Sequence, residues 1–259
     1  MDDKNKTIRE CNLGVMLSEF ANPNIVRVLA KGGYEFIIID DEHGYFDLSQ
    51  VAAIVALAES RGIPIMVRIP GVTRDYITKI LDMGAEGILV PMVNTPEQAK
   101  EIVRYAKYAP LGKRGVSTTR AHTDYDPPAL EEYFREANKR TLIAVQFETQ
   151  EAISNLEEIA SVEGIDALFI GPNDLACDMG IPGKVADPKI LDAVAKVTEY
   201  GNRLGKPTGI ITSNTKLIEG CIERGVQFFS YGSELDLLKA AAKERTRKFR
   251  ELYDNKEEH

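Results

Sequence analysis

Glu148 closes the apolar run LIAVQFE, and Asp174 stands just past the next such run, ALFIG. A carboxylate at the end of an apolar run is costly to desolvate unless it is paired or metal-bound. Two of them at adjacent strand tips suit a hard cation such as Mg2+ or Mn2+, which keeps several waters or exchanges them for substrate oxygens. Gln146 lies two residues before Glu148, so both side chains leave a strand on the same side. Plainer readings stay open: Glu148 as the partner of a barrel arginine, and Asp174 as a helix cap or turn residue.

Arg68 stands in IMVRIP, two residues after Met66, where an inward guanidinium could grip a substrate carboxylate with two parallel hydrogen bonds. An ion pair with Glu148 or Asp40 is the alternative, and the two roles are compatible. His43, in IIIDDEHG, is one of three histidines, with His122 and His259. Asp40 and Glu42 could hold its imidazole in one tautomer and raise its basicity, leaving the other nitrogen for proton transfer. A purely structural histidine is the competing reading. No strand candidate ends in lysine, and Lys206 precedes its strand, so a Schiff-base mechanism lacks its nucleophile.

The elements that must position these residues alternate between short β-rich runs and longer helical patterns, which argues for parallel strands with crossover helices. The strand candidates are Leu13–Leu17, Phe36–Asp40, Ile63–Ile69, Gly87–Val93, Leu142–Glu148, Asp166–Pro172, Thr208–Ser213 and Gln227–Gly232. Asp47 and Thr95 sit where helix caps belong, with Pro96 at a first helical position, and Gly62, Gly84, Gly205 and Gly225 sit where helices stop. Eight strands, each followed by a helix, predict a single-domain (β/α)8 TIM barrel over residues 1–259. An open doubly wound sheet would want a Gly-rich phosphate turn after its first strand, and SEFANPN is not one. The long segment Pro110–Pro128 reads as a functional or mobile loop. The run Glu234–His259 predicts a C-terminal helix to about residue 255, longer than one strand needs, which either covers the barrel or packs on another subunit.

With 259 residues and a formal net charge of −8, the chain can bury its own core, and its field repels nucleic-acid phosphates. The cysteines at 11, 177 and 221 lack metal-ligand spacing and read as reduced thiols. MDDKNKTIREC has no apolar signal region, and the longest apolar run, Val51–Ala58, falls far short of the ~20 residues that span a bilayer. The expectation is a cytoplasmic protein with no membrane or nucleic-acid partner.

Together, IIIDDEHG, VRIP, LVPMV, GKRGV, VQFET and FIGPNDLACDMG resemble the HpcH/HpaI family of metal-dependent pyruvate aldolases, from about Leu13 to Leu238. The resemblance implies Glu148 and Asp174 as ligands of a divalent metal, Mg2+ or Mn2+ with Co2+ as a further candidate, and Gln146 near the site. It implies Arg68 on the pyruvate carboxylate, with backbone groups of Gly171 and Pro172, beside Asn173, helping to seat it. His43 would be the general base, oriented by Asp40 and Glu42. Asp82, in ILDMG, would approach from a neighbouring subunit of a hexamer, a trimer of dimers that exchange the last helix.

The expected reaction is reversible cleavage of a 4-hydroxy-2-oxo acid to pyruvate and an aldehyde. Alternatives on the same scaffold are decarboxylation of oxaloacetate, lysis of coenzyme A esters, or binding of a 2-oxo acid without catalysis. Three departures from the family pattern stand out. Gly44 replaces a frequent alanine, STTRAHTDYDPP replaces an arginine- and alanine-rich stretch, and SYGSELDLL replaces a phosphate cup, which makes a phosphorylated sugar a poor substrate.

Overall fold

A computed structural model describes residues 7–254, so both ends of the expected 1–259 span, and the last residue of the expected C-terminal helix, lie outside the described residues. The eight runs close into a parallel barrel in sequence order: β1 (Leu13–Leu17), β2 (Phe36–Asp40), β3 (Ile65–Arg68), β4 (Gly87–Val90), β5 (Leu142–Phe147), β6 (Ala167–Ile170), β7 (Thr208–Thr212) and β8 (Phe228–Ser233), with β8 returning to β1. Several strands are shorter than their apolar runs. β4 stops at Val90 because Pro91 has no N–H to give a ladder, and Pro172 starts a helix instead of ending β6.

The barrel is wrapped by α1 (Ile25–Lys31), α2 (Leu48–Glu59), α3 (Arg74–Asp82), α4 (Pro96–Ala106), α5 (Leu130–Arg140), α6 (Gln150–Ser154), α7 (Leu156–Ala160), α8 (Pro172–Asp178), α9 (Pro188–Leu204) and α10 (Thr215–Glu223); α11 (Glu234–Asp254) follows β8. The expected caps form. Asp47 accepts the amides of Ser49 and Gln50 while Gln50 returns a side-chain oxygen to the Asp47 amide, and Thr95 and Gln98 repeat the device ahead of Pro96. Gly205 ends α9 at φ 66°.

Side chains alternate across every strand. One set, including Phe36, Ile38, Met66, Leu89, Ala144 and Phe169, fills the inside of the barrel. The other set, with Ile37, Ile39, Val67, Ile88, Val145 and Ile170, packs outward against the helices. At the end of the barrel where the strands begin, Lys107 is 1% exposed and donates to the carbonyls of Asn138 and Thr141 and to Asp166, which also pairs with Arg9.

The 110–128 segment is anchored among its neighbours. It starts at a cis Ala109–Pro110 bond, Arg114 binds Asp82 at 2.6 Å, and His122 meets the Asp82 carbonyl at 3.1 Å. α11 leaves the barrel after its first turn; from Asp236 to Asp254 every residue is exposed, including Leu237, Leu238, Phe249, Leu252 and Tyr253.

Candidate active site

The site lies where β2, β3, β5 and β6 end. The alternation that turns Phe36 and Ile38 inward continues to Asp40, and the one that turns Met66 inward continues to Arg68. Those two residues are ladder partners. Arg68 donates from Nε to Asp40 Oδ1 at 2.9 Å and from Nη2 to Oδ2 at 2.7 Å, and its Nη1 lies 3.2 Å from Glu42 Oε2. The guanidinium is nearly buried, and the two carboxylates offset the cost of taking its charge out of water.

This arrangement corrects one expectation. Asp40 does not hold the imidazole of His43: both its oxygens face Arg68, and Oδ1 also accepts the backbone amides of Glu42 at 3.2 Å and His43 at 3.3 Å. Asp40 therefore shapes the loop that carries His43, while the ring itself is exposed. A buried guanidinium has the stronger claim on the carboxylate, because an exposed ring is already solvated. Glu42 lies near enough to feel His43 as well as Arg68, but burial outweighs both and raises its pKa. Asp41 is pushed up to about 6 by burial and by the charge of Asp40.

On β5, the inward series runs Ala144, Gln146, Glu148. Glu148 Oε1 accepts from Gln146 Nε2 at 2.8 Å, and Oε2 accepts from the backbone amide of Met92 at 2.8 Å. Burial pushes Glu148 up to about 7; the charges of Glu42 and Asp174 add to the rise, and the Met92 amide and Arg68 oppose it. On the β6 side, Gly171 precedes α8, whose first-turn residues are Pro172, Asn173 and Asp174. A Cβ on Gly171 would sit 2.2 Å from Glu148 Oε1, so the two strand tips approach this closely only with glycine. Asn173 and Asp174 are exposed and Pro172 is buried.

The donor set fits a hard cation with open positions. It offers oxygen donors without His or Cys, and burial raises the pKa of Glu148, with the nearby charges of Glu42 and Asp174 adding to the rise. The Gln146 side-chain oxygen is buried without a hydrogen-bond partner among the described residues. No three His, Cys, Asp or Glu side chains among those residues converge into a closed cage, so an ion here would complete its shell with water and substrate.

Asp82 is not part of this cluster in its own chain. It ends α3, which runs back from the site end, and its carboxylate is paired with Arg114. Lys206 also stays away from the site, bound to the carbonyls of Ala160 and Val162.

Sequence patterns missed the backbone amide of Met92, which sits at φ 54° just past β4; only the LVPMV motif pointed near it. They also missed the bracing of the β1–α1 and β2–α2 loops. A Cβ on Gly44 would meet the carbonyls of Asp40 at 2.1 Å and Ser18 at 2.7 Å, which accounts for glycine where the family pattern favours alanine. Beside it, Ser18, Glu19 and Phe20 turn their amides to Glu234, the first residue of α11.

A family model described as HpcH/HpaI aldolase/citrate lyase matches residues 14–241. The chain is 38% identical to a 4-hydroxy-2-oxovalerate aldolase of Novosphingobium aromaticivorans, over 92% of its own length and 90% of that protein's. It is 33% identical to a 5-keto-4-deoxy-D-glucarate aldolase of Escherichia coli O6:H1, covering 86% and 87%. Among solved structures, an HpcH/HpaI aldolase from Desulfitobacterium hafniense superposes with a TM-score of 0.88 at 33% identity, covering 93% of each chain. The citrate synthase SbnG gives 0.84 at 28% identity, covering 94% and 95%. No helix among the described residues is long and apolar enough to cross a membrane.

Proposed function

The chain belongs to the HpcH/HpaI aldolase/citrate lyase family, and from that premise we propose that it reversibly cleaves a 4-hydroxy-2-oxo acid to pyruvate and an aldehyde. The observation that carries the reading is the convergence of Arg68, Glu148 and Asp174 at one barrel mouth, with His43 on the adjoining loop. Glu148 and Asp174 would hold a divalent ion, Mg2+ or Mn2+ with Co2+ as a further candidate. Bound there, the ion supplies a Lewis acid for the 2-oxo group and lowers the cost of the negative charge left when the carbon–carbon bond breaks.

Arg68 takes the carboxylate of the substrate. Asp40 occupies its Nε and one Nη2 hydrogen and Glu42 faces Nη1, which fixes the plane of the guanidinium and leaves further N–H groups for an acid. The backbone at Gly171 and Pro172, beside Asn173, borders the same carboxylate, and Gln146 steadies Glu148 through its amide. His43 accepts the 4-hydroxyl proton in cleavage and returns it in synthesis; its exposed ring can meet a substrate without displacing a buried partner. Asp82 acts from a neighbouring copy, in a hexamer whose subunits exchange α11. The exposed apolar side chains along α11 support that assembly.

The deciding experiment is proton–deuterium exchange at the methyl group of pyruvate, on metal-stripped protein with and without Mn2+ or Mg2+. Exchange only with metal is the expected result. Exchange without metal, or none under either condition in folded protein, overturns the proposal. The likeness to the citrate synthase SbnG favours a second reading, in which the same residues act on oxaloacetate. Parallel assays of oxaloacetate and of 4-hydroxy-2-oxo acids separate the two.

A further inference from the structure

Glu234 heads α11 and is 3% exposed. Its Oε1 accepts three successive backbone amides, from Ser18 at 2.8 Å, Glu19 at 2.7 Å and Phe20 at 3.3 Å. Its Oε2 is buried without a hydrogen-bond partner among the described residues. Successive amides pointing at one oxygen form a concave cradle for negative charge, and a buried carboxylate persists where such bonds replace its water. The β1–α1 loop and the start of α11 are thus held by each other.

The far side of the same loop bears on the candidate active site. The Ser18 carbonyl lies against Gly44, where even a methyl group would sit 2.7 Å from it. The charge of Glu19 lies close enough to Tyr45, the residue after Gly44, to raise the pKa of its phenol. The two residues before Gly44 are Glu42, which faces Arg68, and His43. A contact chain therefore runs from Glu234 through Ser18–Phe20 to Gly44 and the loop that carries His43.

We propose that Glu234 is a positioning residue for His43, holding the β2–α2 loop in place through the amide cradle of the β1–α1 loop. The inference rests on the reaction proposed above for its kinetic consequence, and on the contact chain alone for its structural one. The pyruvate seat, built from Arg68, Glu148 and Asp174, lies outside that loop and meets it through Glu42, while Asp40 on β2 keeps both of its own bonds to Arg68. Loss of the cradle therefore weakens the step that needs His43 and spares the binding of pyruvate.

The test uses the full chain with Glu234→Asp, Glu234→Ala and Glu234→Gln. Aspartate keeps the charge at the helix start and is too short to reach the three amides, whereas glutamine keeps one oxygen for them. Glu234→Asp is expected to lower kcat for cleavage by about tenfold or more, while inhibition by pyruvate stays within about twofold. Glu234→Gln is expected to recover most of the rate. Amide hydrogen exchange should accelerate at residues 18–20 and also at 42–45, with the strands unchanged. Faster exchange at 18–20 alone, acceleration throughout the barrel, or an unaltered kcat in Glu234→Asp would each overturn the proposal. If Glu234→Ala does not fold, the aspartate and glutamine variants carry the decision. If the unmodified chain cleaves no 4-hydroxy-2-oxo acid, the proposed function fails, and hydrogen exchange alone decides the contact chain.

Discussion

Asp40 and Arg68 stand opposite each other in the β2–β3 ladder, and the guanidinium fork closes on both carboxylate oxygens, 2.9 Å from Nε and 2.7 Å from Nη2. The pairing turns a flexible cation into a fixed plate, and with Glu42 facing Nη1 it still leaves N–H groups for an acid.

Arg68→Lys keeps the charge and loses the fork, so kcat/KM should fall by about a hundredfold or more, given ~1.5–3 kcal/mol per charge-assisted hydrogen bond. Arg68→Ala should in addition destabilise the barrel by about 3–5 kcal/mol, because Asp40 stays buried without its partner. Steady-state kinetics and thermal melts check both; unchanged kinetics in Arg68→Lys would remove the substrate role. His43→Ala should lower kcat by roughly 10²–10⁴ with Tm unaltered, since the ring is exposed.

Glu148 gives a pH dependence of definite sign. In metal-free protein its pKa is raised from 4.5 to about 7, chiefly by burial. Between those values the folded state binds more proton than the unfolded state, so this group's contribution to stability is full below 4.5 and is lost as pH rises through 7. Metal-free protein should therefore lose Tm from pH 5 to pH 8 at this site, and Mn2+ should restore it most at the upper end. Metal binding must displace the proton, so affinity should fall about tenfold per pH unit well below 7. A Tm shift by Mn2+ that is equal at pH 5.5 and 7.5 contradicts the assignment.

Gly171→Ala places a methyl group 2.2 Å from Glu148 Oε1. The carboxylate must swing away, and metal affinity should drop about 10–100-fold at a cost of roughly 1–3 kcal/mol in stability. Isothermal titration with Mn2+ reads the first effect and denaturant unfolding the second. Full affinity in this variant would mean that Glu148 is not a ligand.

Met92 holds a left-handed backbone at φ 54° and gives its amide to Glu148. Met92→Gly relieves about 1–2 kcal/mol of backbone cost and keeps the donor, so it should raise Tm and preserve activity. Met92→Pro removes the donor and, because its ring locks φ at about −65°, also displaces the backbone here; both changes push the Glu148 pKa higher and should shift the acid limb of the pH–rate profile upward. Equal profiles for the two variants would show that the amide does not tune the carboxylate.

Leu238 and Phe249 are 56% and 65% exposed on α11. Charging both, as Leu238→Asp with Phe249→Asp, should lower the mass measured by light scattering if α11 joins copies of the chain. An unchanged mass argues against the exchanged helix.

What the sequence made legible depended on periodicity and local chemistry. The starts of β1, β2, β4, β5 and β7, the caps at Asp47 and Thr95 and the inward set of Arg68, Gln146 and Glu148 follow from alternation and hydrogen-bonding habit, which act over a few residues. The ion pair of Asp40 with Arg68 is open to sequence reasoning only as an alternative, because register between strands decides whether Arg68 or His43 is its partner. Met92 was hidden because its contribution is a backbone amide, which any residue but proline could supply. Glu234 was hidden because its partners lie more than two hundred residues away, across the seam where β8 meets β1.

Lys107 and its partners, all at the end of the barrel where strands begin, are far from the mouth that carries Arg68, Glu148 and Asp174. Their charges are satisfied by Asp166 and by carbonyls that no loop at the mouth supplies. Mutational tolerance should therefore be stratified by altitude. Mouth loops not braced by Glu234 can be varied on a base that needs no compensating repair, whereas substitutions at Lys107 or Asp166 strand a buried charge and should destabilise the whole barrel.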